Sequence, residues 1–137
     1  MDVRLEQALT ELAAQYELSA LTKDAKTISE NYRLRTGAGK RLLTREGEAA
    51  AYAASRMPAT FAAAQQALKW ALDCTDLYIS SLLDCGAGTG AVSWAADSLL
   101  ALERVTCLER EAAMRTVGGT LMRAGEGALK DAVWQEW

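Results

Sequence analysis

Apolar residues at Leu5, Leu9, Leu12 and Tyr16 fall on one face of an amphipathic helix. Leu21, Ala25, Ile28 and Tyr32 repeat the same spacing. Residues 17–22 are either a break between two helices or a continuous turn. The first third is therefore a two-helix hairpin or one bent helix. Thr36-Gly37-Ala38-Gly39-Lys40 interrupts the pattern, because two glycines so close favour a loop. The alanine-rich stretch 46–55 is helical in character. Pro58 blocks its continuation, or starts a new helix at the first position. Phe61, Ala64, Leu68, Ala71 and Leu72 line one side of the helix that follows, which ends near Asp73.

The pattern then changes. Residues 78–84 read as a strand, 91–102 as a helix, 104–109 as a second short strand and 111–123 as a second helix. Val92, Ala95, Ala96 and Leu99 are available to cover the sheet, and Gly118-Gly119 weakens the last helix. Strand, helix, strand in succession implies a right-handed parallel crossover. Trp94 reads as core.

Composition narrows the function. The 137 residues suit one compact domain, and half are hydrophobic, although much of that half is alanine. Fifteen basic and 18 acidic residues give a net charge of −3, so the chain as a whole is not a basic nucleic-acid binder. Cys74, Cys85 and Cys107 stand at no metal-ligand spacing, and there is no histidine, which argues against a metal site. The cysteines read as reduced, and the expected location is the cytoplasm. No apolar run approaches the ~20 residues that span a bilayer, so no membrane partner is expected. The N-terminus, with Asp2 and Glu6 near Arg4, resembles neither a signal nor a transit peptide.

Local charge is another matter. Arg33, Arg35, Lys40, Arg41 and Arg45 follow one another with no acid between them. They form either a solvated linker or a strip that contacts RNA phosphates. Gly37-Ala38-Gly39-Lys40 is not a P-loop, since Arg41 stands where the hydroxyl is required.

Leu82-Leu83-Asp84-Cys85-Gly86-Ala87-Gly88-Thr89-Gly90 carries the candidate chemistry. Gly86 lets the chain turn after the strand, Gly88 clears space for a ligand near the backbone, and Gly90 allows close packing as a helix begins. That helix start offers free N–H groups. Asp84, at the strand's end, can accept from a cationic amino group, which S-adenosylmethionine has; a pyrophosphate would be repelled. Glu109 lies 25 positions later, at the end of the second strand, where an acid can accept ribose hydroxyls. The candidate cofactor-binding residues are Asp84, Gly86, Ala87, Gly88, Gly90 and Glu109. Gly86-x-Gly88-x-x-Ala91 also satisfies a dinucleotide pattern, and Asp84 is what favours S-adenosylmethionine over NAD. A glycine turn without a cofactor is the remaining alternative.

Tyr52-x-x-x-Arg56-x-Pro58-Ala59-Thr60, with Ser29-Glu30-Asn31-Tyr32-Arg33 upstream, carries a more specific signal. With Leu83 to Gly90, Trp94-Ala95 and Leu108-Glu109-Arg110, it resembles the ribosomal small-subunit-associated methyltransferase-like family. That family includes mitochondrial methyltransferase-like protein seventeen and bacterial homologues. The resemblance runs from about Leu21 to the C-terminus. It implies S-adenosylmethionine binding and association with the small ribosomal subunit or its RNA.

The expected architecture is a predominantly helical α/β fragment. N-terminal helices precede the first β-α-β-α half of a Rossmann-like class I methyltransferase fold. Residues 1–75 would be a helical region and 76–137 a truncated cofactor-binding domain. The family's further strands, its substrate-facing motif and its cysteine cluster are not in this sequence. The expectation is thus an N-terminal portion of a longer protein, inactive by itself, weak in cofactor affinity and without a nameable catalytic residue. With two strands and open edges, it should form a homo-oligomer. Trp134 and Trp137 should be exposed. Arg56 either contacts cofactor or RNA, or pairs with Asp84 or Glu109 to dock the helices. The competing functions are a small-subunit assembly factor without methyl transfer and an NAD-dependent oxidoreductase.

Overall fold

The computed structural model describes residues 1–16 and 45–137, together with Lys26 and Glu30, which are both helical. The predicted face Leu21, Ala25, Ile28, Tyr32, the glycine loop at 36–40 and the basic residues Arg33, Arg35, Lys40 and Arg41 lie outside the described residues. The described elements are α1 (Val3–Ala14), α2 (Glu46–Leu72), β1 (Ser81–Cys85), α3 (Ala91–Asp97), β2 (Arg104–Leu108), α4 (Ala112–Met122), α5 (Gly127–Lys130) and β3 (Val133–Gln135). The protein is mixed α/β and mostly helical.

Helix α1 starts where Asp2 accepts the Arg4 N–H at 2.8 Å. It buries Leu5, Ala8, Leu9 and Leu12, the face its spacing predicts, while Tyr16 is only half-buried. Arg4 ties the helix down: it bonds Asp2, reaches Asp97 and Glu126 at 3.5 Å each, and lies 5.8 Å from the Trp94 ring centroid.

Pro58 does not divide the next segment. One helix of 27 residues runs from Glu46 to Leu72 with Pro58 inside it. Ala49, Ala53, Met57 and Phe61, each four residues on from the last, form one buried stripe that passes the proline. Pro58 itself is exposed, so the lost hydrogen bond falls on the water-facing side. Core packing along the stripe overrides the local penalty. Beyond Phe61 the helix emerges into solvent: Ala71 is exposed, against expectation, and Trp70 is 66% exposed.

The sheet has three parallel strands in the order β1-β2-β3, so the two-strand expectation is corrected. Ser81 pairs with Arg104, Asp84 with Cys107, and Cys107 with Trp134. One face buries Asp84, Val105 and Cys107; Leu83 and Val133 are exposed on the other. β1 starts later than predicted, and Leu77 and Tyr78 precede it in solvent. Helix α3 ends at Asp97 rather than 102. It covers the core with Trp94, Ala95 and Ala96, while Val92 points to solvent.

The third strand has a seat. Trp134 is half-buried rather than exposed, and a Cβ on Gly118 would overlap its indole ring. The Gly118-Gly119 pair therefore leaves α4 unbroken and opens a slot in it for the ring. Trp137 remains 68% exposed. A single core joins Leu5 and Leu9 of α1, Met57 and Phe61 of α2, Trp94, Val105, and Met114 and Leu121 of α4. The N-terminal helices and the sheet unit thus share their packing. No helix among the described residues is long and apolar enough to cross a membrane.

Candidate functional site

The glycine turn sits at the carboxyl ends of β1 and β2, where adjacent parallel strands deliver their following loops to one edge. Gly86, Gly88 and Gly90 all have positive φ, at 76°, 58° and 90°. For Gly90 the conformation and the space agree: it precedes α3, and a Cβ there would overlap Met122 Cε. At Gly86 a Cβ would meet nothing within 4 Å, so the turn borders open space at that point.

The chain uses most of the turn's own donors. Gly86 and Ala87 both donate to the Leu108 carbonyl, at 2.8 and 3.0 Å, and Gly90 donates to Ala87 at 2.8 Å. Gly88 donates to Glu109 Oε2 at 2.9 Å, and Glu111 to Glu109 Oε1 at 2.8 Å. These four residues thus have their N–H groups engaged within the chain. Their contribution is shape and space. Glu109 still has spare capacity, because each carboxylate oxygen can accept a second hydrogen bond.

Asp84 is only 8% exposed. Its Oδ2 accepts the Ser93 hydroxyl at 2.7 Å. Burial pushes its pKa up; Ser93, through hydroxyl and backbone, pulls it back, and the Glu109 charge adds to the rise. Cys107, paired with Asp84 across the strands, lies 3.5 Å from Ser93 Oγ. Burial pushes its thiol up to about 11. Thr89, within the turn, is 2% exposed and its hydroxyl has no hydrogen-bond partner.

The structure therefore brings Asp84, Gly86, Ala87, Gly88, Gly90 and Glu109 together. It does not bring Arg56. That side chain is exposed on α2, and among the described residues it pairs with neither Asp84 nor Glu109. The docking role is corrected: the stripe of Ala49, Ala53, Met57 and Phe61 joins α2 to the core instead. Arg45, the one described member of the basic strip, precedes α2 and pairs with Glu48 at 2.6 Å. Ser93 was missed from sequence. Its signal is a hydroxyl beside Trp94, Ala95 and Ala96, on the part of α3 that must face inward. Among the described residues no group of three or more His, Cys, Asp or Glu is placed to hold a metal.

These features define a class: mixed α/β proteins with an acid-flanked glycine turn at the carboxyl edge of a parallel sheet. Residues 46–137 match the family model described as "Mitochondrial small ribosomal subunit Rsm22". The chain belongs to that family, as the sequence resemblance implies. No curated protein matches it.

Proposed function

We propose that this chain is a methyltransferase-like protein that binds S-adenosylmethionine at the Asp84–Glu109 turn and works on the small ribosomal subunit or its RNA. The observation that carries the cofactor half is the pair of acids at neighbouring strand ends, one on each side of the glycine turn. Asp84 suits a cationic amine, and the free lone pairs of Glu109 suit ribose hydroxyls. S-adenosylmethionine would supply an activated methyl group. The chain's own residues would hold its amino-acid and ribose portions, and no methyl-accepting group is assigned. The ribosomal half rests on the family description. The basic residues Arg33, Arg35, Lys40, Arg41, Arg45 and Arg56 are the proposed RNA contacts.

One observation favours a second reading, an assembly factor without methyl transfer: the turn's donors at Gly86, Ala87, Gly88 and Gly90 are satisfied within the chain. Gradient sedimentation of the full-length protein with purified small and large subunits, followed by radiolabelled methyl transfer, separates them. The leading reading expects comigration with the small subunit and label in its RNA. Comigration without label supports the second reading, and no preference for the small subunit defeats both.

A further inference from the structure

Beneath the glycine turn lies a buried polar chain that connects three elements. Ser93 from α3 and Cys107 from β2 are both 0% exposed, and Asp84 closes the chain from β1. Ser93 Oγ stands 2.7 Å from Asp84 Oδ2 and 3.5 Å from Cys107 Sγ. A serine hydroxyl has one proton. With that proton on Asp84, the thiol must be the donor to Ser93 Oγ. The order is then Cys107 S–H to Ser93 O–H to Asp84 carboxylate, each donor polarising the next.

We propose that Ser93 is a positioning residue of this site, whose hydroxyl fixes the Asp84 carboxylate as the acceptor for the cationic amine of a bound ligand. The proposal rests on the cofactor reading above. A carboxylate this buried loses ionisation unless something donates to it. The facing groups are Ser93 from α3, Cys107 from β2 and the Glu109 carboxylate at the end of β2. Glu109 opposes ionisation of Asp84, and the thiol is neutral across the physiological range. Ser93 is thus the group that favours the charged acid, and it also sets the direction of one of its two oxygens.

The test uses the whole chain with S93A, S93T and C107A. The Asp84 carboxyl is titrated by carbon NMR, and S-adenosylmethionine binding is measured by calorimetry at pH 5.5 and 8.5. S93A should raise the Asp84 midpoint and weaken binding more at the lower pH than at the higher. S93T should restore both. If S93A does not fold, C107A carries the test by raising the same midpoint by less. An unmoved Asp84 midpoint, or an equal affinity loss at both pH values, overturns the proposal. Failure of the cofactor reading looks different: the wild-type chain itself gives no binding heat, whatever the Asp84 titration shows.

Discussion

Glu109 holds the amide of Gly88: its Oε2 accepts that N–H at 2.9 Å, while its Oε1 accepts the Glu111 N–H at 2.8 Å. One side chain at the end of β2 thereby fixes both the middle of the glycine turn and the entry to α4. Replacing it with alanine strands two donors, and the loss should be about 1–3 kcal/mol in urea unfolding. E109Q keeps one acceptor and should lose less. Equal midpoints for wild type and E109A would show that water replaces the carboxylate without cost.

The two adjacent glycines of α4 should respond in opposite ways. A Cβ at Gly118 overlaps the Trp134 ring, whereas one at Gly119 has its nearest neighbour, Trp134 Nε1, at 3.8 Å. G118A should destabilise by about 1–3 kcal/mol and shift indole fluorescence as Trp134 leaves its seat. G119A should stabilise by up to about 1 kcal/mol, because alanine is the better helix former. Similar effects from both would contradict the slot.

Much of this was legible in the sequence. The helical spacing of Leu5, Leu9 and Leu12 and the order of strand, glycine turn, helix and strand need only local periodicity. Pro58 and Gly118-Gly119 misled for one reason: their meaning depends on distant partners. The stripe from Ala49 to Phe61 carries a helix past the proline, and Trp134 gives the glycines a purpose. At the site, Asp84 and Glu109 were visible by spacing. That Glu109 accepts from Gly88, and that Ser93 donates to Asp84, depends on register and helix rotation, which spacing does not encode.

Asp84 sets stability against function. Burial raises its folded pKa, so the folded state binds the proton more tightly than the unfolded chain does. Its contribution to stability therefore falls as pH rises from the ordinary carboxylate range through the raised value. D84N should melt above wild type at pH 7, and the advantage should vanish in acid below the ordinary range. A variant less stable than wild type at both pH values would refute the sign.

Cys107 should dominate alkaline unfolding. Its thiol is pushed up from 9.0 to about 11 in the fold, so between those values the unfolded chain ionises first. Stability should fall across that window with a slope approaching 1.4 kcal/mol per pH unit, that is about 2.303RT for one proton. C107A should remove this component of the slope, as measured by urea midpoints at pH 8, 9 and 10.

Calorimetry of the whole chain against S-adenosylmethionine and against NAD, with wild type and D84A, tests the central claim most directly. The account predicts one saturable site for S-adenosylmethionine on the wild type, at least about tenfold weaker on D84A, and no heat from NAD. Binding of NAD, or S-adenosylmethionine binding unchanged by D84A, would contradict it.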